Sequence, residues 1–329
     1  MYKFISLVEQ NLDKIDWKYL SSNSSDGMVC LFEQNPDRIN YTLSQHTSYE
    51  AIQFLEQNPN KINWRVLSEN PSAVHLLEQN QDKIDWGFLS LNSSDRAIKL
   101  LEQNPDKIRW GQLSENINDN AIRILEQNQD AIRWDILSSN HADGAIKLLE
   151  QNLDKIHWSS LAYNINIGAI KLLEQNQDKI HWSNLSSNPS PRAIHLLEQN
   201  PDQINRLKFS VNPGAIHFLK RNPDKINWCH LSRNTSDDAV KLLEQNLEEI
   251  HWFYLSSNPT AIRFLEQNPD KINWLQLLKN PAIFTYNYEL LQKKMYDSGI
   301  VEELMQNRFH PRNLSKLESW GFDSILSEM

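Results

Sequence analysis

The chain has 329 residues, a formal charge of −9, 40% hydrophobic residues, 8 glycines and 11 tryptophans. So few glycines leave little room for a turn-rich β fold or for phosphate-cradling loops. The acidic balance disfavours a phosphate-backbone binder, which carries a basic footprint.

The N-terminus, MYKFISLVEQN, has no basic-then-apolar leader and enters repeated sequence at once. No uninterrupted apolar run reaches bilayer length. An intracellular chain is expected, with the Asn-x-Ser/Thr matches at Asn23, Asn92, Asn184, Asn234 and Asn313 unused.

From there the text recurs. An aromatic column runs Trp17, Tyr41, Trp64, Trp86, Trp110, Trp134, Trp158, Trp182, then Arg206, Trp228, Trp252 and Trp274, with steps of 22 to 24 residues. Six residues before each stands an Asn, from Asn11 through Asn104 to Asn268. A second polar column follows: Asn23, His46, Asn70, Asn92, Asn116, Asn140, Asn164, Asn188, Asn212, Asn234, Asn258 and Asn280. Twelve units over 1–280 result, numbered here by their aromatic position.

Each unit reads as two short helices. The first is the AIKLLEQ stretch, where Ala97, Ile98, Leu100 and Leu101 form two adjacent apolar stripes. Asn70-Pro71, Asn212-Pro213 and Asn258-Pro259 pair a capping residue with Pro at the first helical position, and they open the three 22-residue units. Longer units place an acid there instead, as Asp95 does, which suits the helix dipole. Asn-Pro-Asp-Lys-Ile then ends the first helix. The second, WxxLSxN, is barely two turns and is expected to be partly 3₁₀.

No unit could fold alone at these helix lengths, so stability must come from stacking between neighbours. An open stack of twelve would make a rod of roughly 110–120 Å at ~10 Å per unit. Cys30 and Cys229, eight units apart along it, could not form a bridge, and a reducing compartment fits. Residues 281–329 break the period. NYELLQKKMYDSG, IVEELMQNRFH and PRNLSKLESWGF read as three helices of a C-terminal cap over the last unit.

The 24-residue unit, punctuated by Asn-Pro, resembles the leucine-rich repeat variant class of α-solenoids. The wording LLEQNPDKIxWxxLSxNP resembles a family of repeat proteins of large DNA viruses of algae and amoebae. So does the ending, with Asn280-Pro281-Ala282-Ile283-Phe284, Tyr286, Tyr288, Glu302-Glu303-Leu304-Met305 and Phe309-His310-Pro311-Arg312. The resemblance covers essentially the whole chain. It implies an all-α solenoid and a viral origin, in host cytoplasm or virion, and no activity or cofactor.

Most regular columns have a structural explanation. The Trp column could offer stacking platforms, yet its spacing from Leu113 and its equivalents suits a core column. The Asn columns fall at helix ends, where capping explains them. The row Lys99, Arg123, Lys147, Lys171 is matched three residues on by Glu, as by Glu102, which suits a solvated helical face.

The position before the aromatic is more informative. Asp or Asn there caps the second helix, but Arg109, Arg133, His157 and His181 replace it in four successive units. Arg cannot accept a hydrogen bond and His is a poor cap. With the variable residues Gln112, Asp135, Ser159 and Asn184 they form the candidate partner-binding patch, mildly basic, across units 5–8. Unit 9, with Arg206 for Trp and Lys220-Arg221 soon after, suggests a bend or interaction seam near 203–222.

For catalysis there is no HExxH, paired CxxC, GxSxG or phosphate-binding glycine loop. His157 and His181 lie too far apart to share a metal directly through ~2 Å bonds. The expectation is a non-catalytic protein-interaction scaffold without cofactor, serving a host or viral protein. Single-stranded RNA binding and a structural part of a virus particle are the alternatives.

Overall fold

The computed structural model describes residues 2–38, 41–300, 302, 303 and 306. It is an all-α solenoid of regularly alternating helices. Unit 5 shows how the sequence sets each element. Ser94 caps the helix Asp95–Gln103 by accepting from the Ala97 N–H. Asn104 closes it, donating its amide back to the Leu100 carbonyl at 2.9 Å. Pro105–Lys107 is a single 3₁₀ turn, Ile108 dips into the core, and Trp110–Glu115 forms the second helix. The 3₁₀ geometry expected of the second helices thus sits in the Asn-Pro turn, because the preceding Asn and Pro start a tight turn there.

Unit 2 is the exception. One residue shorter between Tyr41 and His46, it makes its second element a 3₁₀ helix, Tyr41–Gln45. The longer rise per residue of that helix spans the same unit with less chain.

Ala97, Ile98, Leu100, Leu101, Ile108 and Leu113 are all buried, and their equivalents make one core running through every unit. Each full-size aliphatic side chain contributes roughly 1.5–3 kcal/mol by leaving water. Burial is therefore the driving force. Register is set by the second Asn column. Asn116, 2% exposed, donates to the carbonyls of Ser90 and Asn92 in unit 4, both at 3.0 Å, and accepts from the Asn118 N–H. Asn140, Asn164, Asn188 and Asn212 repeat the same bonds to the unit before.

Unit 1 repeats them too, and its preceding unit is unit 12. Asn23 donates to the carbonyls of Leu278 at 3.0 Å and Asn280 at 2.9 Å. The chain is a closed ring, turning roughly 30° per unit. The expected rod is corrected by this finding. Its consequence for Cys30 and Cys229 changes as well: through the seam they stand four units apart, and neither is in a disulfide.

The seam is a unit shared between the two ends. Asn280-Pro281-Ala282-Ile283 starts a first helix as Asn258-Pro259-Thr260-Ala261 does, with Asn280 accepting from the Ala282 N–H. The N-terminal segment completes it: the Ile5 N–H donates to the Ile283 carbonyl at 2.9 Å, and Ser6–Glu9 continues as helix. The displaced ends leave as an antiparallel ribbon, β1 (Tyr2–Phe4) on β2 (Phe284–Tyr286), with Phe4 stacked on Phe284 and Tyr2 on Tyr286. Gly27 allows the approach, since a Cβ there would lie 2.3 Å from the Phe284 ring.

Residues 281–286 therefore close the ring and do not cap an open end. The helix Tyr288–Asp297 that follows buries no residue. Of the cap expected over 281–329, the part from residue 301 on lies largely outside the described residues.

His46 is the gap in the ladder. In four other units a Ser or Thr two residues on gives its hydroxyl to the Asn, as Ser25 does to Asn23 and Ser94 to Asn92. Beside His46, the Ser48 hydroxyl is buried without a hydrogen-bond partner among the described residues. Restoring the ladder with His46→Asn should raise stability by about 1 kcal/mol, whereas Asn140→Ala, which orphans two carbonyls and an N–H, should cost about 3 kcal/mol. Burial holds the His46 pKa below its ordinary value, against a small opposing effect of Asp26. The unfolded chain then takes up the proton first. Wild-type stability should fall, relative to His46→Asn, as pH drops below about 6.5. Thermal melts of the three proteins between pH 8 and 5 check both statements.

Candidate interaction surface on the inner face

One observation puts the second helices on the inside of the ring. On their solvent side, Lys208 of unit 9 reaches across unit 8 to the Tyr163 hydroxyl of unit 7 at 2.9 Å. Side chains two units apart meet only where a surface is concave. At ~8–10 Å between axes, twelve helices close a circle of roughly 30–38 Å; subtracting a helix width of ~10–12 Å leaves a channel about 20–25 Å wide.

The inner wall is built from the positions one, two and five residues after the aromatic, because the third and fourth, Leu and Ser, point into the core. The Ser makes this wall free to vary. Ser90 Oγ accepts from the Arg109 N–H, Ser114 Oγ from Arg133, and Ser138 Oγ from His157, each near 3.0 Å. A neighbour thus anchors the backbone before most of the Trp residues, whatever side chain stands there; at His181 and Asp16 the preceding unit carries Ala162 and Leu278 in place of the Ser. The Ser column is the second residue of the recurring Leu-Ser pair, so a missing side-chain cap does not leave the start of the second helix unsupported.

The eight candidate residues lie in four successive units, Gln112, Asp135, Ser159 and Asn184 on the inner wall and the four basic residues just before each Trp. Arg109, Arg133 and His157 make no side-chain cap, but His181 does, its Nδ1 accepting from the Asn184 N–H at 3.3 Å. Arg133 forks onto Asp135 at 3.1 and 3.0 Å. Those hydrogen bonds hold the Asp135 carboxyl below the ordinary range. His157 Nδ1 meets Ser160 Oγ at 2.8 Å. Asn184 joins a different group, accepting from Tyr163 and from Lys208, both at 2.8 Å. The patch is therefore one surface, with much of its charge engaged locally.

The Trp column is half-buried against the core. Lys83 lies over Trp64 at 4.6 Å and Lys179 over Trp158 at 4.9 Å, so neither ring offers a free stacking face.

Unit 9 does not bend the ring, since Asn212 and Asn234 keep their ladder bonds. Phe209 and Phe218, edge to face at 5.6 Å, fill the core beside the missing Trp. On the inner wall the irregularity opens a cavity of about 450 Å³ lined by Leu207, Lys208, Val211, His230 and Arg233 among others.

Among the described residues, no cluster of three His, Cys, Asp or Glu could hold a metal, and no helix is long and apolar enough to cross a membrane. No family model, curated protein or solved structure matches the chain.

Proposed function

We propose that this chain is a non-catalytic protein-interaction scaffold in the form of a ring, holding a host or viral protein partner against its inner wall. The observation that carries the reading is the division of labour within each second helix. Leu113, Ser114 and Asn116 and their equivalents are committed to core and ladder, while the neighbouring inner positions range from Gly111 and Gln112 to Phe253 and Tyr254. A wall that varies over a fixed frame suits recognition. The wording of the repeats, through its viral resemblance, supports a setting in host cytoplasm or virion.

RNA binding is the second reading, favoured by the concave face. Against it stand the net acidity, the Arg133–Asp135 pair and the lysine-covered Trp64 and Trp158 rings. A purely structural part of the particle would need ring-to-ring association.

A photo-cross-linking amino acid at Gln112, on the inner wall, or at Lys147, on an outer helix, distinguishes these. In lysate treated with nuclease, position 112 should give a discrete protein adduct and position 147 none. Adducts from position 147 alone, or nuclease-sensitive RNA adducts from 112, would contradict the proposal.

A further inference from the structure

The cations of the two layers are treated differently. On the first helices several meet carboxylates of a neighbouring unit: Arg96 with Glu78, Arg192 with Glu174 at 2.8 Å, Arg221 with Glu198 at 3.1 Å, and Lys220 with Asp238 at 2.8 Å. On the inner wall of units 9 to 12 they meet neutral groups. Lys208 is held by Tyr163 and Asn184, Arg233 lies over the Tyr254 ring at 5.3 Å, and Lys279 lies over Tyr19 at 5.2 Å across the seam. The described ion pairs include none of the three, and the inner positions of units 9 to 12 contain no Asp or Glu.

The same arc carries the large apolar groups that the wall exposes just after the aromatic position: Leu207 at 47%, Phe253 at 43% and Leu275 at 40%. They stand in units 9, 11 and 12, with Cys229 between, and they continue into the cavity beside Leu207. Three oriented cations without counter-charge, beside an apolar row, form a surface with two demands. It calls for negative charge and for apolar side chains on one ligand.

We infer that the inner wall of units 9 to 12 is a docking site for an acidic peptide segment bearing regularly spaced apolar side chains. The inference rests on the interaction-ring reading and names the chemistry of its partner. A single-stranded nucleic acid supplies the charge but wants open aromatic faces, and Tyr254 and Tyr19 have theirs covered by Arg233 and Lys279. It would also leave the Leu207–Leu275 row facing water. An acidic peptide meets both demands, and salt should weaken it in the way it weakens exposed charge pairs.

The test uses the full chain and a fluorescein-labelled 16-residue peptide of four Leu-Asp-Glu-Glu repeats, beside its Leu-Asn-Gln-Gln counterpart, in anisotropy titrations at low salt. The acidic peptide should bind at least about tenfold more tightly than the neutral one. Arg233→Gln with Lys279→Gln, or Leu275→Ser, should each lose about tenfold while Arg96→Gln with Arg192→Gln on the outer helices stays within about twofold. Thermal melts confirm that each variant keeps its fold. Equal affinity for the two peptides, insensitivity to the inner variants, or displacement of the peptide by oligo-uridine of matching length would overturn the inference. If these titrations fail while position 112 still yields a protein adduct, the docking site falls and the interaction ring stands.

Discussion

The constraint on which the rest of the structure depends is the buried side-chain amide of the second Asn column. An Asn amide has two N–H donors and a carbonyl acceptor, and inside a protein each must find a partner. Here the donors are met by carbonyls of the preceding unit, so every unit needs a predecessor. In an open array the first unit has none and the last unit leaves two carbonyls unused. The ring removes both defects at one stroke, with Asn23 bonded to Leu278 and Asn280 as any inner unit is to its neighbour. The apolar faces follow the same logic. Open solenoids need polar outer faces at their ends, whereas here Val8, Leu20, Leu277 and Ile283 are all fully buried against one another's units.

Much of this fold is written locally and could be read without coordinates. The capping Asn-Pro pairs, the AIKLLEQ stripes and the WxxLS helices lie where their spacing says, because each depends on neighbours within one unit. Ring closure is different. Nothing in Asn23 itself distinguishes a bond to unit 12 from a bond to a missing unit. The signal lay in two incomplete sentences at opposite ends of the chain. Asn280-Pro281-Ala282-Ile283 opens a first helix and does not finish it, and Ile5-Ser6-Leu7-Val8-Glu9-Gln10-Asn11 finishes one it did not open. Read separately they look like a cap and a ragged start; only the Ile5–Ile283 hydrogen bond joins them.

The candidate surface was legible in part. The variable positions flanking each Trp do face one side together, because they share a helical phase. Which side is concave is a property of accumulated rotation, and single-unit reasoning has no access to it. Local pairing was equally hidden: Arg133 looked like free charge until Asp135, two residues on, was seen to take it. The more informative contrast runs between layers. Several outer cations, Arg96, Arg192 and Lys220 among them, pair with carboxylates of an adjoining unit and help join it, while inner cations of units 9 to 12 rest on rings and amides and keep their charge toward the channel.

The central claim, that the chain closes on itself, is most directly tested by a disulfide across the seam ribbon. Lys3 and Thr285 face each other in its register, at the ~4.5–5.5 Å Cα separation of antiparallel pairs, which a disulfide can bridge. The Lys3→Cys, Thr285→Cys variant should oxidise within the monomer, give a peptide linking positions 3 and 285 by mass spectrometry, and melt at a higher temperature than its reduced form. Free thiols, or only intermolecular dimers, under the same mild oxidation would contradict the ring and return the molecule to an open stack with its ends far apart.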